Sequence, residues 1–194
     1  MDVEAILAPS RSGCISPEQL KHHDLLHLNR LDAGNSLNPH PIVLSSFLGT
    51  FMERYAPIWP ERSLNLDRSC LNGARVQVDP EALTRVLSNL VENAVRYSTT
   101  GTSIQIRGAA ARQSVSITVQ DDGPGLSQED AGRVFERFYR GSTSRNRPSG
   151  GSGLGLAIVH DLIRHSQGRV SLDTGPDRGT TVATTLPRLG GPAS

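Results

Sequence analysis

The segment from Asp79 to Tyr97 constrains the fold more than any other stretch of this sequence. It opens with Asp-Pro-Glu, which puts a side-chain acceptor at the N-cap, proline at the first helical position and an acid near the positive helix end. It then runs without Gly or Pro until Ser98-Thr99-Thr100-Gly101. At about 100° per residue, Arg85, Asn89, Asn93, Arg96 and Tyr97 share one stripe. Leu83, Leu87, Leu90 and Ala94 share the opposite one. Such a helix must lay its apolar face on another layer, and the strings around it supply a sheet. Ser103–Arg107, Ser114–Asp121, 169–173 and 180–186 alternate in polarity, and Val115, Ile117 and Val119 fall on one face. Strands in pairs with helices between them predict a two-layer α/β (α+β) sandwich, a mixed sheet packed on helices.

The rest of the chain is read around this unit. Residues 1–16 lack periodicity and read as a flexible lead-in. Ser16-Pro17-Glu18 starts a short helix over 17–35, with Leu20, Leu25, Leu28 and Leu31 near helical spacing and Gly34 as its stop. His22, His23 and His27 lie on it and read as solvated or satisfied side chains. Asn38-Pro39-His40-Pro41 breaks the chain before a helix predicted over Ile42–Tyr55, which Pro57 and Pro60 end. A weak strand at Ser63–Asp67 and the pair Asn72-Gly73 leading into Arg75–Val78 suggest a hairpin. A helix runs from about Leu154 to Gln167. The main domain spans 36–188, and 189–194 reads as a loose tail.

Charge and cysteine usage exclude several classes. The net charge is +1, too low for broad nucleic-acid binding. No apolar run approaches a membrane span, and the N-terminus lacks a signal-peptide core. Two cysteines make no disulfide framework, and no CxxC or HExxH spacing marks a metal site. A cytoplasmic setting is expected.

Four strings carry chemistry. The first is NLVENAVRY at 89–97. A solvated helix face usually carries Glu and Lys, whereas this one carries two asparagines one turn apart. Asn is a poor helix-interior residue, so the pair suits either a polar surface or carbonyl oxygens offered to a hard cation such as Mg²⁺. The second is DDGPGL at 121–126, where Gly123 and Gly125 permit a tight turn and Asp121 stands at a strand end with a free carboxylate. Ordinary turns also make this string. The third is VFERFYRG at 134–141, whose Phe135, Phe138 and Tyr139 are expected to pin a loop to the core beside Arg137 and Arg140. The fourth is GGSGLGLAIV at 150–159, a glycine-rich loop opening a helix, where backbone N–H groups can receive an anion. It is neither a Walker A loop nor a dinucleotide fingerprint.

In this order and spacing the four strings resemble the N, G1, F and G2 boxes of the sensor histidine kinase ATP-binding domain, a member of the Bergerat-fold ATPase group. The resemblance covers roughly 36–188, and GTTVATTLP at 179–187 is similar to the family's closing strand. It implies ATP and Mg²⁺ as ligands. Asn93 would hold Mg²⁺, with Asn89 close by. Asp121 would accept from the adenine amino group, and Tyr97 would lie against the base. Arg96 and Arg140 would reach the phosphates. Gly123 and Gly125 belong to the G1 turn. Gly151, Gly153 and Gly155, with Leu154 and Leu156, make the G2 loop, and Thr180 is the polar contact on the last strand. Residues 140–150 would be a lid.

The resemblance departs at the phosphoacceptor. The family's acceptor box, a His and an acid followed by a pattern like Leu-Arg-Thr-Pro, is not matched here. LLHLNRLDAG at 25–34 looks like the second helix of the family's dimerisation hairpin. The expected role is therefore the ATP-binding part of a split two-component kinase. It would phosphorylate a histidine on a separate dimerisation or phosphotransfer protein and, through it, serve a response regulator. The leucine stripe predicts self-association or a helical partner. A non-catalytic nucleotide-binding module, a truncated kinase remnant and an anti-sigma-type serine kinase are the competing readings. Gyrase-like ATP hydrolysis is disfavoured, because those relatives carry Glu where this chain has Asn89.

Overall fold

A computed structural model describes residues 37–99, 101–141 and 152–190. The expectations for 1–16, for the 17–35 helix with its histidines, for Gly151, for lid residues 142–150 and for the last four residues lie outside them. The chain order is β1 (His40–Val43), α1 (Leu44–Tyr55), a 3₁₀ turn (Ala56–Ile58), β2 (Ser63–Cys70), β3 (Arg75–Val78), α2 (Pro80–Tyr97), β4 (Ser103–Ala110), β5 (Ser114–Asp121), α3 (Gln128–Arg133), α4 (Gly155–His165), β6 (Arg169–Thr174) and β7 (Thr180–Leu189). The strands form one mixed sheet in the order β1-β3-β7-β5-β4-β2, with β6 also paired to β7. The β2–β4 pair is parallel, and the remaining pairs are antiparallel. The two-layer α/β architecture expected from the sequence is the one observed.

Helix α2 is the spine of the helical layer. The Asp79 carboxylate accepts from the backbone N–H of Glu81 at 2.8 Å and Ala82 at 3.3 Å, satisfying two orphan donors of the first turn. It also accepts from the Asn38 N–H at 2.9 Å, which ties the approach to β1 onto the helix start. Leu83, Leu87, Leu90 and Ala94 are buried, as the stripe predicts, against Ile104 and Ile106 of β4, Val115, Ile117 and Val119 of β5, and Ile158 and Leu162 of α4. Burying one such aliphatic side chain contributes about 1.5–3 kcal/mol.

Three local expectations are corrected. Residues 40–43 form an edge strand where a breaker and helix start were expected. Pro41 lacks an N–H and is tolerated because β1 closes the sheet edge, with Ile42 buried opposite Val76. The Asn72-Gly73 turn does form, with both residues at positive φ (44° and 67°) and Ala74 N–H donating to Leu71 O at 2.7 Å. It closes no hairpin, however. β2 pairs with β4, while β3 pairs with β1 and β7. Leu71 and Ala74, either side of the turn, are buried and draw it into the core, so the two strands diverge. β7 runs through Leu189, so the final strand extends past the start assigned to the tail.

Candidate functional site

An open cavity of about 1260 Å³, counting its mouth, lies between the second half of α2, the ends of β5 and β7, and the start of α4. Each wall follows from an element already described. The antiparallel register of β5 and β7 pairs Asp121 with Thr180 and Val119 with Val182, so a carboxylate and a hydroxyl stand above an apolar floor. The last turns of α2 supply Asn89, Asn93, Arg96 and Tyr97 along one wall. Leu90 and Ala94 add apolar surface between them.

Asp121 is 8% exposed, and its Oδ1 accepts from the Gly123 backbone N–H at 2.8 Å. The carboxylate expected to be free is thus buried and half committed to its own turn. Burial raises its pKa to about 6; the Gly123 amide opposes that rise, neighbouring Asp122 adds to it, and the Thr180 amide opposes it. A desolvated carboxylate on an otherwise apolar floor makes Asp121 a candidate binding position. Gly125 is required by its backbone: φ is +69°, and a Cβ there would run into the Gly175 carbonyl oxygen.

Asn89 departs from the expected solvated stripe. It is 6% exposed, and its Nδ2 donates to Arg85 O at 3.1 Å. With the amide nitrogen committed, the Oδ1 side abuts Gly155, where a Cβ would come within 2.7 Å of Asn89 Oδ1 and 3.6 Å of Asn93 Nδ2. The G2 glycine therefore lets the α4 N-terminus close onto both asparagines. Among the described residues no group of three or more His, Cys, Asp or Glu could hold a metal. Two neutral amides fit a Mg²⁺ that takes most of its ligands from phosphates and water.

The structure brings Asn89, Asn93, Arg96, Tyr97, Asp121 and Gly125 to the cavity, and with them Arg140, Gly153, Gly155, Leu156 and Thr180. It does not bring Gly123 or Leu154 to the lining. Gly123 packs under the Asp121 turn, where a Cβ would meet Tyr97 O at 2.7 Å. Leu154 is 1% exposed in the core. Arg85 shares the α2 stripe but stays off the lining.

Two further acidic residues line the cavity: Glu92, which lies about 60° off the α2 stripe, and Asp130, which the sequence does not point to. Glu92 forms an ion pair with Arg96 one turn on, so the wall carries a paired rather than a bare guanidinium. The i, i+4 spacing could have flagged this pair. Asp130 of α3 is the other; it is 5% exposed and accepts from the Tyr139 hydroxyl at 2.7 Å. That bond is the main cause of the raised Tyr139 pKa. Its signal lay nine residues away across an irregular loop, which periodicity does not reach.

The F-box aromatics do not form one anchor. The Phe135 ring lies 5.7 Å from the His160 ring on α4, Tyr139 turns inward, and Phe138 is 70% exposed. Phe138 has φ +64°, and its N–H donates to Gly153 O at 2.9 Å. A Cβ on Gly153 would stand 2.8 Å from the Phe138 carbonyl carbon. It is thus the Phe138 backbone, not its ring, that packs against the G2 loop. Arg137 fastens the same segment to α4 through Asp161 at 3.1 Å.

Comparison with known proteins shows the family. Residues 78–190, more than half of the chain, match the family described as histidine kinase-, DNA gyrase B-, and HSP90-like ATPase. The signal transduction histidine-protein kinase BaeS of Escherichia coli (strain K12) is 39% identical over 169 residues, covering 84% of this chain and 35% of that protein. The structure of the mycobacterial sensor histidine kinase MprB superposes with a TM-score of 0.66 at 25% identity, covering 78% of this chain and 98% of that one. Full-length ShkA in complex with AMPPNP superposes with a TM-score of 0.70 at 26% identity, covering 89% of this chain and 36% of that one. The chain belongs to this ATPase family, and within it to the ATP-binding catalytic domains of sensor histidine kinases. It spans about a third of the length of BaeS. Among the described residues no helix is long and apolar enough to cross a membrane.

Proposed function

We propose that the cavity binds Mg·ATP and that the chain transfers the γ-phosphoryl group to a histidine supplied in trans. The observation that carries this reading is the polarity of the cavity. One buried carboxylate, Asp121, stands with the apolar Val119 and Val182 of the sheet, two asparagines face Gly155 at the α4 N-terminus, and Arg96 and Arg140 are on the lining. The apolar end suits a purine, sandwiched by Val119, Val182, Leu90 and Ala94, with its exocyclic amine donating to Asp121. Thr180 sits beside that carboxylate and adds a second polar contact. Tyr97 lies alongside the base.

The other end suits the phosphates. Asn93, seconded by Asn89, would hold Mg²⁺, which when bound neutralises charge on the β- and γ-phosphates. Arg96 and Arg140 orient the phosphate chain, and the Gly153–Leu156 backbone approaches it at the helix start. The chain's own residues thereby position the γ-phosphoryl for in-line attack. A neutral imidazole needs no strong base to attack, in contrast to water. Glu92, the nearest acid on α2, is paired with Arg96.

The acceptor histidine is assigned to a dimerisation or phosphotransfer protein, because His22, His23 and His27 lack the flanking Arg and Pro of an acceptor box. The 17–35 leucine stripe is the segment proposed to meet that protein or a second copy of this chain, in the cytoplasm, upstream of a response regulator. The test is incubation with γ-labelled ATP and Mg²⁺, with and without an isolated sensor-kinase acceptor hairpin. Acid-labile label is expected on the hairpin alone. Strong acid-labile label on this chain by itself, lost on replacing His22, His23 or His27, would overturn the trans assignment.

A further inference from the structure

The buried acid Asp130 is not used by the nucleotide reading above, yet it lines the same cavity. Its surroundings show what it holds. The Tyr139 hydroxyl donates to Asp130 Oδ1 at 2.7 Å. The backbone at Gly141 passes so close that a Cβ there would stand 3.2 Å from the Asp130 carboxyl carbon. Asp130 thus bonds one end of the tripeptide Tyr139-Arg140-Gly141 and lies against the backbone at the other. Asp130 is itself fixed, since its N–H donates to the Ser127 hydroxyl at 3.1 Å at the start of α3. The outer face of the Tyr139 ring is covered by the Arg133 guanidinium, 4.4 Å from the ring centroid. Just before the tripeptide, Phe138 N–H is held by Gly153 O at 2.9 Å. Arg140, in the middle, lines the cavity.

We propose that Asp130 is a positioning residue that acts through Tyr139 to hold Arg140 against the phosphate end of the bound nucleotide. This rests on the Mg·ATP reading and deepens it. The short α3 helix then has a function beyond covering the core: it carries the bracket that sets an arginine on the phosphate side. An arginine on a loop without such a bracket samples many rotamers, and each phosphate contact it makes has to overcome that entropy. With the bracket, the Arg140 backbone is held beside the cavity before ATP arrives, and only its side-chain torsions remain to be ordered. The bracket holds the residues on either side of Arg140, which serves the phosphates, and not the Val119–Val182 floor that serves the base. It therefore contributes to ATP affinity and not to adenosine affinity.

The experiment measures ATP and adenosine affinities by calorimetry, with Mg²⁺, for the wild-type chain, Tyr139→Phe, Asp130→Asn, and the double variant. Tyr139→Phe removes the donor and is expected to weaken ATP about tenfold, the loss of one charge-assisted contact, while adenosine binding is unchanged. Asp130→Asn keeps an acceptor for the hydroxyl and should retain most of the ATP affinity. The double variant should match Tyr139→Phe alone, because the two residues act as one unit. If Tyr139→Phe fails to fold by stranding a buried carboxylate, the double variant, which buries no charge there, carries the same comparison. Equal weakening of ATP and adenosine, or an unchanged ATP affinity in folded variants, would overturn the proposal while leaving the nucleotide reading intact. A wild-type chain that binds neither ligand would overturn both.

Discussion

Replacing Asp121 with Asn should make the protein more stable and worse at binding ATP, and both effects can be worked from the structure. The Asp121 pKa is raised from 3.8 to about 6. The folded state therefore binds this proton more tightly than the unfolded chain does. The favourable contribution is fully present below about pH 3.8 and is lost as pH rises through 6. At pH 7.5 the ionised, buried carboxylate costs up to about 3 kcal/mol, since raising a pKa by one corresponds to about 1.36 kcal/mol. Asn has the same shape and no charge to desolvate. Its Oδ1 can keep the bond from Gly123 N–H, now 2.8 Å. That bond then fixes the amide orientation and turns Nδ2 toward the cavity, where it faces the adenine amino group donor to donor. Loss of a hydrogen bond to a charged acceptor costs about 1.5–3 kcal/mol, or roughly ten- to a hundredfold in affinity. Urea unfolding between pH 4 and 8, together with ATP titration at pH 7.5, checks both halves. The variant should gain stability over wild type as pH rises through 6 and should converge with it near pH 4. An Asp121→Asn protein with unchanged ATP affinity, or with no stability gain at pH 7.5, would refute the reasoning.

Two further substitutions probe the other end of the cavity. Asn93→Ala should abolish Mg²⁺-dependent phosphotransfer to an acceptor hairpin while leaving the melting temperature nearly unchanged, because Asn93 is only partly buried and packs little; transfer at the wild-type rate would remove its metal role. Gly155→Ala should push its new methyl into Asn89 Oδ1, 2.7 Å away, and weaken Mg·ATP at least tenfold with a smaller effect on adenosine; equal affinities for wild type and variant in calorimetry would show that the asparagines are not held by that contact.

Legibility from sequence followed how local each determinant was. Helix α2 could be read in full because its cap, its proline and both of its faces lie within nineteen consecutive residues. Asn89, Asn93, Arg96 and Tyr97 came with it, since a stripe on a helix is a statement about one element. β1 could not be read, because His40–Val43 is a strand only by virtue of pairing with Arg75–Val78. The Asn72-Gly73 turn was legible as a turn, yet its strands take partners set by the burial of Leu71 and Ala74. The exposure of Phe138 was hidden for a related reason. Aromatic residues usually bury their rings, but here the backbone bond to Gly153 decides the orientation and leaves the ring outside. Glu92 and Asp130 matter through the side chains they meet, Arg96 and Tyr139, and only the first of these pairs is one helical turn apart.

The central claim is that the Asp121 end of the cavity reads adenine. The measurement that tests it most directly is a calorimetric titration of the wild-type chain with ATP and with GTP, at pH 7.5 and equal Mg²⁺. ATP should bind at least tenfold more tightly, because guanine presents a carbonyl where adenine presents the amine that Asp121 accepts. Equal affinities for ATP and GTP, or no binding of either, would contradict the account.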